Sequence, residues 1–227
     1  MAEPLTIVFP LYSGVTQLDF TGPYQFLSRM PNTETIVASV DGAEIDGDGL
    51  SFNHLRPLAQ IAHCDVLCVP GGGGCTQAMQ DEQYMAQIQR LARGARYITS
   101  VCTGSLILGA AGLLRGKRAT SHWSMCDCLP LFGAIASSER VVRDGNVITG
   151  GGVTAGIDFA LTLIAELHGE ETAQAIQLGF EYAPAPPFVG GTPALAPPAI
   201  VKKMRETMAE SLRQRQALVA QIAARCG

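Results

Sequence analysis

Short apolar runs alternate along this chain with stretches whose apolar positions recur every three or four residues, which predicts strands exchanging with helices. Residues 5–10, 34–40, 65–69 and 97–101 read as buried strands, each a brief run rich in β-branched side chains. Residues 19–27 are expected to form a first helix, with Gly22-Pro23 punctuating its start. The Asp- and Gly-rich residues 41–49 read as turns of a small hairpin. Residues 82–93 form an amphipathic helix pattern through Met85, Ile88, Leu91 and Ala92. A helix is expected from the residues after Cys102 to about Leu114, then a strand at 119–121 and a helix from about Trp123. Strands at 140–143 and 146–149 and helices at 155–168 and 171–182 complete the alternation. Residues 183–198 hold Pro184, Pro186, Pro187, Pro193, Pro197 and Pro198 and read as a rigid crossing loop. A last helix is expected over residues 199–225, with the stripe Val201, Met204, Met208, Leu212, Val219 and Ile222 near heptad spacing. Strands that are apolar throughout, alternating with helices, argue for an α/β fold with a doubly wound, mostly parallel sheet covered on both faces. Sites in such folds lie at the carboxyl ends of the strands.

Composition narrows the picture. At 227 residues, 47% hydrophobic and 16% charged, the chain is long enough for one sizeable core, and a single domain over residues 1–227 is expected. A net charge of −4 gives no general attraction to nucleic acid or to an anionic membrane. No apolar run approaches the ~18 residues of a membrane span, and residues 1–4 lack the basic start of an export signal. The protein is therefore expected to be cytoplasmic and to act on a small neutral substrate. Seven cysteines at irregular positions point to free thiols and not to a disulfide framework. The last helix is basic through Lys202, Lys203, Arg205, Arg213, Arg215 and Arg225, and is expected to pack on its own domain or on a sister subunit.

Candidate chemistry centres on Cys102. It sits where the strand at 97–101 turns into a helix, so unpaired N–H groups and the helix dipole favour its thiolate. The turn has the logic of a nucleophile elbow; a buried cysteine acting as a small hydrophobe is the alternative. Asp19, between Leu18 and Phe20, is either a helix-capping residue or a proton carrier for the Cys102 sulfur. The Gly71 to Gly74 run offers backbone N–H groups for close approach to a ligand, or simply makes a tight turn. Gly150-Gly151-Gly152-Val153-Thr154-Ala155 matches a dinucleotide pattern, but it falls late in the chain without the acid expected after the next strand, so it reads as a second wall of the Cys102 pocket. His122 is either a base for Cys102 or a structural histidine. Cys64, Cys68, Cys126 and Cys128 lack zinc spacing, and Asp46 to Gly49 lacks the acid a calcium loop needs.

Ser100-Val101-Cys102-Thr103-Gly104-Ser105, Gly109-Ala110-Ala111-Gly112-Leu113-Leu114 and Ala119-Thr120-Ser121-His122-Trp123 together resemble the DJ-1/PfpI superfamily, of class I glutamine amidotransferase-like fold. The likeness is closest to its isocyanide hydratase branch through Leu18-Asp19-Phe20-Thr21-Gly22-Pro23, Val69-Pro70-Gly71-Gly72, the Gly150 to Asp158 segment and Glu181-Tyr182-Ala183-Pro184-Ala185-Pro186-Pro187-Phe188. That resemblance implies a flavodoxin-like sheet, a homodimer, and water addition to an isocyanide through a Cys102 thioimidate. It further implies that Asp19 moves protons, that Thr103 offers a backbone N–H and a hydroxyl near the sulfur, and that Gly72, Gly73, Gly152, Val153 and His122 line the substrate pocket. It implies neither metal nor organic cofactor. A glyoxalase-type hydratase and a non-catalytic cysteine redox sensor are the alternatives.

Overall fold

The computed structural model describes residues 3–226. In chain order its elements are β1 (Leu5–Pro10), α1 (Gln17–Leu27), β2 (Thr33–Ser39), β3 (Ile45–Gly47), β4 (Leu50–Phe52), β5 (Arg56–Pro57), β6 (Val66–Val69), α2 (Cys75–Ala78), α3 (Glu82–Gly94), β7 (Tyr97–Val101), α4 (Gly104–Ala110), β8 (Arg118–Ala119), β9 (Ile135–Ala136), β10 (Val141–Asp144), β11 (Val147–Gly150), α5 (Ala155–His168), α6 (Glu170–Gly179) and α7 (Pro198–Cys226). Seven strands form one sheet in the order β10-β11-β7-β6-β1-β2-β5, parallel except for the β10-β11 hairpin. Helices flank it, with α1 packed on α5, and α4 packed on β6 and β7. The expected mostly parallel, helix-covered sheet is the fold observed.

Register decides where the site forms. Val69 pairs with Ser100 and Gly150 with Val101, so β6, β7 and β11 end level with one another. The turns that follow them, Pro70-Gly71-Gly72, Cys102-Thr103 and Gly151-Gly152-Val153, therefore emerge side by side at the carboxyl edge. Two buried tyrosines brace that edge: Tyr84 donates its hydroxyl to the Pro10 carbonyl and Tyr12 to the Pro70 carbonyl, both at 3.0 Å, and their rings meet edge-on 5.5 Å apart. Such a pair adds about 1 kcal/mol beyond the area it buries.

Several local features depart from expectation. Helix α1 begins at Gln17, before Asp19, and Gly22-Pro23 lies inside it. Its end is capped from a distance, because Gln17 N–H donates to Asp48 Oδ2 of the β3-β4 hairpin at 2.9 Å. Helix α4 stops at Ala110, and the chain reverses through Gly112 at φ +78°. The residues after Trp123 form no α-helix; Cys126–Phe132 is a 3-10 run around Pro130, ended by left-handed Gly133. Strand character at 119–121 is confined to the short β8-β9 pair. The helix expected at 171–182 runs from Glu170 to Gly179, and the small helix α2 was not foreseen. Helix α7 matches its expected range, with Pro198 as its first residue, where a missing N–H costs nothing. Only Val219 and Ile222 of its stripe are buried. No helix among the described residues is long and apolar enough to cross a membrane.

Candidate active site

Cys102 follows β7 at φ +57°, a left-handed conformation that costs a non-glycine residue of the order of 1–3 kcal/mol. Its backbone is tied on both sides, which holds the strain in place. The N–H points between the Gly150 and Gly151 carbonyls at 3.0 and 2.8 Å, and the carbonyl accepts from Ser105 Oγ at 3.1 Å and Ser121 Oγ at 3.0 Å. Gly104 completes the elbow. A Cβ there would lie 2.1 Å from the Val69 carbonyl oxygen, so glycine alone lets the start of α4 pass the end of β6. The Cys102 side chain is only 6% exposed.

Asp19, in the first turn of α1, is wholly buried and does not cap its own helix. Its Oδ2 accepts from the Gly71 N–H at 3.1 Å. Its Oδ1 is buried without a partner of normal hydrogen-bond geometry, and the Cys102 thiol acts on the carboxylate as a weak donor. Thr103, next to Cys102, reaches the same turn, since Gly72 donates its N–H to Thr103 Oγ1 at 3.0 Å. Gly72 has no room for a side chain, a Cβ there falling 2.4 Å from the Gly14 carbonyl oxygen and 2.5 Å from the Thr16 nitrogen. Gly73 by contrast is exposed, and a Cβ there would meet only the Gly14 oxygen at 3.9 Å.

The electrostatics correct one expectation. The helix start was expected to favour a thiolate; instead burial, and then the negative charge of Asp19, push the Cys102 thiol well above its ordinary value. Helix α4 spans only Gly104–Ala110, and the backbone N–H groups of Val153 and Thr103, which bond the sulfur, oppose the rise without cancelling it. Burial also raises Asp19 from 3.8 to about 7; the thiol and the Gly71 N–H hold it down, and Asp48 adds to the rise. Near neutral pH the resting pair is thus a neutral thiol beside a carboxylate that titrates in the same range.

The third wall comes from the turn after β11. Val153 sits at φ +26°, which brings its N–H to the sulfur. Gly152 lies flat against the His122 ring, whose Cδ2 would be 2.8 Å from a Cβ at that position. His122 Nδ1 is paired with Ser124 Oγ at 2.8 Å, and no hydrogen bond joins His122 to Cys102 among the described residues. Burial, then the Arg215 guanidinium, lower its pKa, so it stays neutral. Cys102, Asp19, Thr103, Gly72 and Val153 therefore converge, Gly152 and His122 form a flank, and Gly73 stands at the rim.

Sequence reading missed Ser105, Ser121, Tyr12 and the role of Gly71. Ser105 and Ser121 lay within the segments already singled out, whereas nothing in the sequence joins Arg215 to the site. All seven cysteines are free, and no group of three His, Cys, Asp or Glu among the described residues could hold a metal ion. Two clefts lie between residues 190–198 and α7, one of about 510 Å³ and one of about 120 Å³ that reaches Trp123; neither is lined by Cys102 or Asp19. Both clefts are open surface grooves, unlike the enclosed polar turn around Cys102.

Comparison with known proteins places the chain in a family. The chain is 51% identical over 225 residues, 97% of each chain, to an isonitrile hydratase of Pseudomonas putida. It superposes on the crystal structure of a THiJ/PfpI family protein from Pseudomonas syringae with a TM-score of 0.92 at 40% identity, covering 96% of this chain and 91% of the other. Drosophila melanogaster DJ-1beta superposes with a TM-score of 0.71 at 26% identity, over 80% of this chain and 100% of that one. The DJ-1/PfpI family model matches residues 5–166, from the first strand of the sheet through the cysteine elbow to α5, and the chain belongs to that family.

Proposed function

We propose that this protein is an isocyanide hydratase, a hydro-lyase adding water to R–N≡C to give an N-substituted formamide, with Cys102 as nucleophile. The observation that carries the reading is the coincidence of near-full-length likeness to an isonitrile hydratase with a buried thiol and carboxyl able to exchange one proton. An isocyanide carbon is electrophilic and also accepts a proton. As the Cys102 sulfur bonds that carbon, Asp19 takes the thiol proton and delivers it to the same carbon, leaving the thioimidate Cys–S–CH=N–R. Asp19, again a carboxylate, takes a proton from water as the water oxygen adds to the thioimidate carbon and hands it to the nitrogen, giving Cys–S–CH(OH)–NH–R. As the C–S bond breaks, Asp19 takes the hydroxyl proton and passes it to the sulfur, and R–NH–CHO leaves. Atoms balance as isocyanide plus water. An Asp19 near pH 7 suits both directions of transfer better than an ordinary carboxylate would.

The Val153 and Thr103 N–H groups steady charge on the sulfur as it is displaced. Gly72 keeps the turn open, and Gly73, Gly152 and His122 border the entrance. A neutral His122 engaged with Ser124 favours this reading over an aldehyde hydratase that would need a histidine base at the cysteine.

Residues 3–226 act as one unit, and the unit pairs with a second copy of itself. Phe188 (83% exposed), Val189 (78%) and Leu178 (81%), with Leu195, Ile200 and Met204, leave a broad apolar surface on residues 178–204. Seven free thiols suit a reducing cytoplasm. The test is incubation of purified protein with alkyl and aryl isocyanides and measurement of the formamide by mass spectrometry. Formation of formamide with oxygen from labelled water supports the reading, and its absence with every isocyanide overturns it.

A further inference from the structure

Helix α7 is the last element of the chain, yet one of its side chains reaches the turn after β6. Arg215 Nη2 donates to the Gly72 carbonyl at 3.2 Å and lies 3.4 Å from Cys75 Sγ. The helix itself packs on α2, α4 and the 3-10 run at Cys126–Phe132, with Val219 and Ile222 buried in the contact. Arg215 makes no ion pair among the described residues, and its Nε is buried with no hydrogen-bond partner; Arg213, two residues earlier, pairs with Glu210 in solvent. Removing part of a guanidinium from water without a counter-charge is unfavourable, so ordinary surface packing does not account for this side chain.

Its acceptor is the carbonyl of a residue whose N–H the site uses, an oxygen that also takes longer bonds from the Cys75 N–H at 3.3 Å and Thr103 Oγ1 at 3.4 Å. Gly72 gives its N–H to Thr103 and pairs through its backbone with Val15, while the preceding Gly71 gives its N–H to Asp19. We propose that Arg215 is a positioning residue: by fixing the Gly72 carbonyl it keeps the Gly71 N–H on Asp19 and the Thr103 hydroxyl beside Cys102, and so makes α7 part of the active site. This rests on the isocyanide hydration reading for its kinetic consequences only. The groups that act on Asp19 are Cys102 after β7, Tyr12 after β1, Cys68 in β6 and Asp48 in the β3-β4 hairpin, together with the Gly71 N–H. Arg215 is not among them, so it reaches Asp19 through the backbone of residues 71 and 72. Loss of the Gly71 donor raises the Asp19 pKa further, and the acid limb of activity moves to higher pH.

The experiment compares wild type, Arg215→Ala, Arg215→Lys and the control Arg213→Ala. Two profiles against pH are recorded: kcat/KM for an alkyl isocyanide, and the rate at which iodoacetamide modifies Cys102, read by peptide mass spectrometry. Arg215→Ala is expected to lower kcat about tenfold and to displace both acid limbs upward by about one pH unit, with KM changed less than twofold. Arg215→Lys keeps the charge but ends short of the Nη2 position that bonds Gly72, and should retain at least half of that displacement. Arg213→Ala should match wild type. Unmoved limbs in Arg215→Ala, or full recovery in Arg215→Lys, overturn the proposal; should Arg215→Ala fail to fold, the Lys variant decides alone. Repeating the series in His122→Asn guards against titration of His122, whose neutrality Arg215 also favours; a displacement that vanishes there overturns the proposal too. A wild type inert toward isocyanides refutes the functional reading, while the alkylation profiles still test Arg215.

Discussion

The carboxyl edge of the sheet and the C-terminal arm invert each other. At the edge, Asp19, Thr103, Ser105 and Ser121 are polar and buried. Along residues 178–204, Leu178, Phe188, Val189 and Leu195 are apolar and exposed. Both arrangements are unfavourable for an isolated chain, and for opposite reasons. The edge tolerates buried polarity because almost every group is held by backbone: Gly71 holds Asp19, Gly72 is held by Thr103, and two serines hold the Cys102 carbonyl. The arm has no such internal compensation, and its apolar side chains stay exposed within the chain.

Replacement of Cys102 is the largest expected break. Cys102→Ala should lower isocyanide turnover by at least about 10⁴-fold, since no second nucleophile shares the step. Its melting temperature should stay close to wild type. Asp19→Asn comes next, with a loss of about 10²–10⁴ in kcat/KM. The same change should stabilise the fold. The Asp19 pKa is raised from 3.8 to about 7 in the native state, so the native carboxyl is penalised progressively as pH rises from about 4 to 7 and constantly above that. Relative to wild type, Asp19→Asn should gain nothing below pH 4 and roughly 2–4 kcal/mol at pH 8, read by urea denaturation at the two pH values. A gain equal at both would show that burial of its charge is not what strains this site.

Glycine substitutions set the two regions directly against each other. Gly72→Ala drives a methyl into the backbone of residues 14–16 and should cost about 3 kcal/mol or more, with activity lost. Gly191→Ala in the arm meets nothing within 4 Å and should change stability by at most about 0.5 kcal/mol. Equal effects would erase the distinction between a packed edge and an open arm. The arm is probed further by Phe188→Ser with Leu195→Ser, which should convert a dimer to a monomer in light scattering while each subunit keeps its fold. A dimer that survives the double change would move the interface elsewhere.

The likeness of Cys102 and Cys75 is equally instructive. Both are buried cysteines near strand ends, Cys102 directly after β7 and Cys75 after the glycine run that follows β6. Only Cys102 sits at a left-handed elbow with an acid beside it; Cys75 opens α2 facing Arg215. Position after β7, the strand whose partners on both sides end level with it, separates them.

Apolar runs and helical spacing by themselves determined most of the order of strands and helices, the parallel sheet and the edge at which Cys102 would stand, because burial on both faces writes a continuous hydrophobic signal into each central strand. Cys102 and the glycine turns stood out by their place at strand ends, whereas Asp19 was left between a helix cap and a proton carrier, because sequence does not show what a buried acid faces. Tertiary structure alone decided the rest. That Asp48 caps α1, that Asp19 faces Gly71 and the sulfur, and that Arg215 reaches Gly72 across 143 positions are contacts between elements distant in sequence. So too with protonation: a helix start favours a thiolate locally, but desolvation and a neighbouring carboxylate outweigh it once the chain has closed around the pair.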